Sequence, residues 1–97
     1  MTALLRRWLT PRIKLPGWRV TVYTRAQCGC CVKALEVLRE YHRRHGFVLE
    51  LIDIDTDPEL VALYNTTVPV VAINGKVRFK GQVNRVLLDR LIVAARD

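Results

Sequence analysis

The sequence predicts an α/β domain in which helices flank a four-stranded mixed sheet, with the element order β-α-β-α-β-β-α. Three observations predict this class. β-branched residues dominate residues 19–24, apolar residues recur at helical spacing over residues 31–41, and an Asn-Gly pair further on separates two strand-like segments. The chain has 97 residues, of which 51% are hydrophobic, and this length favours one domain with one modest core.

The first half of the chain predicts two parallel strands joined by a helix. The first strand covers residues 19–24, the second covers residues 47–54, and a right-handed crossover helix that ends at Gly46 joins them. The apolar face of this helix is formed by Cys31, Ala34, Leu35, Leu38 and Tyr41. Because the second strand is mostly apolar, we expect it to be covered on both faces.

A short helix follows the second strand. Asp57 is its predicted cap, Pro58 occupies its first position and Asn65 ends it. The alternating acids Asp53, Asp55 and Asp57 are typical of a calcium loop, but Pro58 stands where that loop requires glycine. We therefore interpret these acids as capping residues and predict no metal site there.

The second half predicts a β-hairpin and a C-terminal helix. Strands over residues 69–73 and 76–80 are joined by Asn74-Gly75, two residues that readily take positive φ angles, and Gly81 ends the second strand. The apolar spacing of the last helix is given by Val83, Val86, Leu87, Arg90, Leu91 and Ala94. We expect the two hairpin strands to pair antiparallel.

The positive charge is concentrated at the N-terminus. The net charge is +7, but residues 1–19 carry five of the 16 Lys and Arg residues and no acid. The remaining chain is nearly balanced. We divide the chain into a basic N-terminal arm, residues 1–18, and a domain, residues 19–97. The arm is expected to be loosely ordered, with a dimer contact or a contact with an anionic membrane as the alternatives.

This charge distribution argues against nucleic acid as a partner. Trp8 and Trp18 lie near basic residues, but two tryptophans in an arm are a weak signal for base stacking. We expect a monomer, and leave open a dimer formed through the arm. No apolar run reaches the roughly 18 residues that a transmembrane helix needs.

The three cysteines lie within four residues, at Cys28, Cys30 and Cys31. Such a cluster cannot join distant parts of a chain, so it indicates thiols kept for chemistry in a reducing compartment. The basic residues that follow Leu4 and Leu5 do not form a secretory signal, and a cytoplasmic location is expected.

The position of the cysteines predicts redox chemistry. Cys28 lies at a helix N-terminus, where free N–H groups and the helix dipole stabilise a thiolate, and the positive charge of Arg25 would add to this effect. Cys31 lies one helical turn further and could close a disulfide with Cys28. Cys30 is open to three interpretations: a competing resolving thiol, a third soft metal ligand, or a residue without a role. Zinc is not expected, because it needs about four ligands and His42 and His45 are expected to face solvent.

A second motif precedes the third strand. In Thr67-Val68-Pro69, a cis peptide bond before Pro69 would leave the N–H and C=O groups of Val68 free to pair with an extended peptide.

Together these motifs resemble those of the small bacterial glutaredoxin-like proteins within the thioredoxin-fold superfamily. The resemblance covers about residues 19–94 and rests on Tyr23-Thr24-Arg25, the cysteine motif, the segment Asp53 to Leu60, and Val68-Pro69-Val70. It implies a thioredoxin/glutaredoxin-like fold, Cys28 as nucleophile, Cys31 as its partner and a cis peptide before Pro69. It also implies glutathione as a co-substrate, with no bound cofactor. The residues implied to contact glutathione are Arg25, Thr67, Val68, Pro69, Gly81 and Gln82, with Asn84 in place of the family's usual acid.

The predicted function is therefore a thiol–disulfide oxidoreductase that reduces protein disulfides or glutathione mixed disulfides. Two other classes remain open. The cysteine cluster could carry a metal or an iron–sulfur cluster, or the fold could serve as a redox-inactive binding module that uses the basic arm.

Overall fold

The computed structural model describes residues 13–96, so the arm predictions that fall on residues 1–12 lie outside the described residues. The strands are β1 (Arg19–Thr24), β2 (Val48–Asp53), β3 (Val70–Ile73) and β4 (Lys76–Lys80). The helices are α1 (Gly29–His45), α2 (Pro58–Tyr64) and α3 (Arg85–Arg96), and a short 3₁₀ turn (Ile54–Thr56) precedes α2.

The sheet has the strand order β2-β1-β3-β4. β1 pairs parallel with β2 and antiparallel with β3, and β3 pairs antiparallel with β4. This confirms the predicted fold class and element order. The Asn74-Gly75 turn of the hairpin has φ angles of 52° and 84°, as its sequence predicts.

The predicted apolar face of α1 packs on the sheet. Cys31, Ala34, Leu38 and Tyr41 are all buried, and the core they join includes Val20 and other branched side chains of the inner strands. Gly46 ends α1 in the left-handed conformation and its N–H donates to the carbonyl of His42. The packing of this face fixes the position of α1, and therefore of the cysteines at its start, relative to the central strands.

The expectation that β2 is covered on both faces is wrong. β2 is an edge strand, and its side chains are half-buried or exposed, with Val48 47% and Leu51 44% accessible. The apolar run that predicts a strand covered on both faces instead belongs to an edge strand on which every side chain remains at least partly accessible. Position in the sheet is decided by long-range pairing, which the composition of the strand does not encode.

The apolar residues that predict α3 coincide only in part with its buried face. Val83 and Leu91 pack against the core, whereas Val86 and Leu87 are exposed, and the fully buried residues of the helix are Leu88 and Ile92. The helix begins at Arg85, later than the apolar spacing predicts. Apolar residues occur on more than half of its circumference, so their spacing alone does not select the face that meets the sheet.

The last part of the predicted arm packs on the domain. Ile13 and Leu15 belong to the hydrophobic core, and the Leu15 N–H donates to the carbonyl of His45 at 2.7 Å. The expectation that His45 faces solvent is wrong, because the residue is fully buried and its Nδ1 lies 2.6 Å from the Ile13 carbonyl oxygen. His42 is half-buried and its ring lies against Phe47. The chain before β1 therefore covers the C-terminal end of α1. Within residues 13–96, no helix is long and apolar enough to cross a membrane.

Candidate active site

Cys28 occupies the N-cap of α1. Its backbone is extended, with φ −113° and ψ 105°, and its Sγ accepts a hydrogen bond from the Cys31 N–H at 3.3 Å. A sulfur at this position faces the unpaired N–H groups of the first helical turn, and no acidic residue lies in that turn. The Cys28 sulfur therefore lies beside the backbone N–H donors that begin the helix.

The three thiols differ strongly in exposure, and each is free. Cys30 is exposed, Cys28 is partly exposed, and Cys31 is only 2% accessible. Burial raises the pKa of the Cys31 thiol, and its hydrogen bond to Cys28 raises it further, against smaller opposing effects from the Thr24 hydroxyl and the Arg25 main chain. Cys31 is therefore held as a protonated thiol beside a sulfur that solvent can reach.

This difference predicts the order of alkylation. Because the pKa of Cys31 is raised, its thiolate forms only at a higher pH than that of an ordinary cysteine. We expect iodoacetamide to label Cys31 more slowly than Cys30 at neutral pH, with the Cys31 rate increasing under alkaline conditions and the difference disappearing in urea. Tandem mass spectrometry of labelled peptides measures this. Equal labelling of Cys30 and Cys31 in the folded protein at neutral pH would contradict the burial of Cys31.

Arg25 lies just before the cysteine loop, but it is already engaged within the protein. Its Nε and Nη2 donate to the two carboxylate oxygens of Asp55 at 3.2 and 2.5 Å. Its Nη1 donates to the carbonyl oxygen and to Oδ1 of Asn65, at 3.0 and 2.7 Å. The hydrogen bond between the two charged groups raises the pKa of Arg25 and lowers that of Asp55. The guanidinium predicted to meet glutathione is therefore occupied by Asp55.

The Val68–Pro69 peptide bond is cis in the structure. The expectation that the Val68 N–H is free is wrong, because it donates to the Tyr64 carbonyl at 3.2 Å, and the Thr67 N–H donates to the same oxygen at 3.0 Å. The C-terminal turn of α2 uses both donors. The Val68 carbonyl has no main-chain partner among residues 13–96. The Thr67 hydroxyl is buried and has no hydrogen-bond partner within the same residues.

Gly81 and Gln82 lie beside the cysteine motif. They line a groove of about 220 Å³ between the first half of α1 and the loop before α3. Its other lining residues are Cys30, Lys33, Ala34, Val37 and Val83. Gly81 has a φ of 85°, a conformation that glycine adopts readily, and this turns the chain from β4 toward the groove. The structure thus brings Cys30 together with Gly81 and Gln82, while Arg25 and Thr67 are not part of this groove.

The side chain of Asn84 makes a hydrogen bond within its own helix start. Its Oδ1 accepts the Leu87 N–H at 3.1 Å, so the side chain caps the first turn of α3. An acid at this position, as in the resembling family, would be an equally favourable cap.

Sequence reasoning missed two residues of the site, Asp55 and Asn65. The strand register could have indicated Asp55. Thr24 pairs with Asp53 in the parallel pair, so Arg25 and Asp55 follow the ends of two neighbouring strands at the same end of the sheet. Asn65 has no such signal, because its place depends on the direction in which α2 leaves the 3₁₀ turn.

The sheet order, with a cysteine at the N-cap of the first crossover helix, defines a thioredoxin-fold protein. Among solved structures, a mutant thioredoxin from Halobacterium salinarum superposes with a TM-score of 0.62 and 19% identity, over 82% of this chain and 75% of that chain. A structural-genomics target protein from X. campestris superposes with a TM-score of 0.61 and 27% identity, over 77% of this chain and 96% of that chain.

The chain belongs to the glutaredoxin-like family, because the family model described as "Glutaredoxin-like domain (DUF836)" matches residues 19–93. A curated relative from Methanothermobacter thermautotrophicus, named "Probable Thioredoxin", is 39% identical over 69 residues, which is 68% of this chain and 81% of the relative. The fold and this relative together support a redox thiol protein.

Proposed function

We propose that the protein is a thiol–disulfide oxidoreductase in which Cys28 attacks the substrate disulfide and Cys31 resolves the mixed disulfide. The observation that carries this proposal is the contrast between the two thiols. Cys28 is partly exposed at a helix N-terminus, and Cys31 is buried, with a raised pKa and a hydrogen bond to Cys28. An attacking thiol must be accessible to the substrate and react as a thiolate, whereas a resolving thiol must lie next to the attacking sulfur and react only in the second step.

The reaction has two exchange steps. In the first, the Cys28 thiolate attacks one sulfur of the substrate disulfide, a Cys28–substrate disulfide forms, and the other substrate sulfur leaves as a thiolate. In the second, Cys31 gives its proton to solvent or to a leaving thiolate and attacks the Cys28 sulfur. The substrate is released as its second thiolate and a Cys28–Cys31 disulfide remains. Two electrons have then passed from the protein to the substrate, and two thiols of an external reductant restore the protein.

The proposed substrates are protein disulfides or glutathione mixed disulfides, with glutathione as a co-substrate that is not bound permanently. The carbonyl of Val68, which has no main-chain partner within residues 13–96, and the groove beside Cys30 are the surfaces that we assign to such a substrate. A glutathione carboxylate would have to compete with Asp55 for the guanidinium of Arg25. A dithiol that acts as a reductant must be returned to its reduced form, which a reducing compartment favours, and we therefore propose a cytoplasmic location.

Trapping the intermediate tests the roles of the cysteines. We expect the Cys31→Ser variant to accumulate a mixed disulfide between Cys28 and a disulfide-containing peptide, because the second step then lacks its thiol. The wild-type protein should instead release both peptide thiols and carry a Cys28–Cys31 disulfide. Non-reducing electrophoresis and mass spectrometry distinguish these products.

The matched variant for this experiment is Cys30→Ser, which removes the neighbouring exposed thiol and leaves Cys28 and Cys31 in place. A Cys28–Cys31 disulfide in this variant supports the proposed pairing. If the oxidised wild type contains a Cys28–Cys30 disulfide and Cys31→Ser does not accumulate the intermediate, Cys30 is the resolving thiol and the assignment of Cys31 is wrong.

A further inference from the structure

We propose that Arg25 is a positioning residue that, together with Asp55 and Asn65, fixes the cysteine loop relative to the Thr67-Val68-Pro69 segment, and that it does not bind a substrate anion. This inference rests on the proposed function, because it concerns how the cysteine loop and the Thr67-Val68-Pro69 segment of the same site are held at a fixed distance and orientation. We call Arg25, Asp55 and Asn65 the arginine clamp.

The clamp joins three parts of the chain. Arg25 lies between the end of β1 and the Cys28 cap, Asp55 lies in the 3₁₀ turn after β2, and Asn65 is the C-cap of α2. Asn65 is three residues before Val68, whose N–H is held by the C-terminal turn of the same helix. A displacement at Arg25 is therefore transmitted to both the cysteine loop and the segment that ends at Pro69.

The geometry uses most of the hydrogen-bonding capacity of the guanidinium. It makes four hydrogen bonds, two to the Asp55 carboxylate and two to Asn65. The Asp55 contact is the paired-oxygen arrangement for which guanidinium and carboxylate are complementary. A lysine would keep the positive charge but could not span these acceptors in one plane. The proposed role of Arg25 therefore requires the planar shape of the guanidinium as well as its positive charge.

The surroundings of the thiols connect the clamp to the chemistry. Cys28 and Asp53 lie close enough to Arg25 for their charges to favour its protonated form, and the Arg25 main chain contributes to the environment of the Cys31 thiol. The side chain of Arg25 is 27% accessible and that of Asp55 is 47% accessible. An ion pair this exposed contributes little to the stability of the whole domain, so its main effect is local order.

The two possible roles of Arg25 predict opposite effects when Asp55 is changed. If Arg25 binds an anionic substrate, Asp55→Asn frees the guanidinium and raises activity toward anionic disulfides. If Arg25 is a positioning residue, Asp55→Asn loosens the loops and lowers activity toward a peptide disulfide, even one without charged residues. Arg25→Lys should then behave like Asp55→Asn, and the double variant should be no worse than either single variant.

The experiment compares two uncharged substrates in these three variants. A disulfide-linked peptide without charged residues requires both the Cys28 loop and the Val68 segment, whereas hydroxyethyl disulfide needs little beyond Cys28. We expect kcat/KM for the peptide to fall on the order of tenfold, mainly through KM, because loosened loops lose the bound orientation. The value for hydroxyethyl disulfide should change less than about twofold. Glutathione disulfide serves as the anionic substrate.

Arg19→Lys and Glu50→Gln are the matched controls. These residues form another exposed ion pair at 3.7 Å, which joins β1 and β2 themselves and lies toward the end of the strand pair remote from Cys28. Both controls should keep wild-type kcat/KM for all substrates. Increased glutathione disulfide reduction by Asp55→Asn, together with unchanged peptide reduction, would overturn the proposal and assign Arg25 to substrate binding.

Amide hydrogen exchange provides a readout that does not depend on redox activity. The N–H groups of Thr67 and Val68 both donate to Tyr64, and we expect them to exchange faster in Arg25→Lys and Asp55→Asn but not in the controls. If these amides are unaffected in the clamp variants, the clamp does not order the segment. If exchange increases as expected but the wild-type protein reduces no disulfide, the proposed function fails while the structural role of the clamp stands.

Discussion

Replacing Cys28 with serine is expected to reduce disulfide reduction by the protein on the order of a thousandfold or more. A serine hydroxyl is not ionised at neutral pH and does not exchange with disulfides, so the first step has no nucleophile. The reduction of hydroxyethyl disulfide, coupled to an external thiol reductant, measures the effect.

The fold should survive this substitution. Serine is a favourable N-cap residue, and its hydroxyl can accept the Cys31 N–H that the Cys28 sulfur accepts in the structure. A lost activity with an unchanged unfolding transition would therefore report chemistry and not misfolding. Val32→Ala, an exposed position in the same helical turn, is the matched control and should retain full activity.

Activity in Cys28→Ser equal to that of the wild type would exclude Cys28 as the attacking residue. Partial activity that disappears in Cys28→Ser/Cys30→Ser would show that the exposed thiol of Cys30 substitutes for it. The first outcome overturns the proposed function, and the second changes the assignment of the nucleophile while keeping thiol exchange as the reaction.

Leu88→Ala is expected to lower the free energy of unfolding by about 2–5 kcal/mol, because Leu88 is fully buried in the core that α3 shares with the sheet. Truncation removes the transfer free energy of the lost methyl groups and leaves a cavity. A domain of this size has a total stability of about 5–15 kcal/mol, so the variant loses a large part of it. Urea denaturation followed by circular dichroism measures the change.

Leu87→Ala is the matched control, since it makes the same chemical change one residue earlier in the same helix. Leu87 is 46% accessible, and we expect a loss of less than about 1 kcal/mol. A larger loss for Leu87→Ala than for Leu88→Ala would mean that α3 presents the other face to the sheet, as the apolar spacing of the sequence predicts.

Leu87 and Leu88 show when a sequence pattern can predict the buried face of a helix and when it cannot. In α1 the apolar residues form one narrow face opposite a charged one, so the sequence predicts that Cys31, Ala34, Leu38 and Tyr41 are buried, and the structure confirms it. In α3 apolar residues cover a wider arc, and the choice between Leu87 and Leu88 depends on how the helix meets the strands. Periodicity identifies a face only when the remaining faces are polar.

In the candidate site, too, local features are predictable from the sequence and long-range contacts are not. A cysteine after a strand and before a helix places Cys28 at an N-cap, because the N-cap is a local property of the chain. The hydrogen bonds of Arg25 are not local: Asp55 and Asn65 lie 30 and 40 residues away. Its charge beside the thiols is visible in the sequence, but its engagement by Asp55 is visible only when β1, β2 and α2 are assembled.

Local sequence was enough to predict the element order, the parallel pair followed by a hairpin, the Asn74-Gly75 turn and the start of α1 at the cysteine cluster. Each element and turn depends on residues that are near one another in the chain, and the parallel pair follows from the crossover that a strand–helix–strand unit makes. Tertiary packing made β2 an edge strand, buried His45 against residues 13–15, and held Arg25 between Asp55 and Asn65. Each of these depends on which distant segments share one surface, and burial and hydrogen bonding between such segments are set only when the whole domain packs.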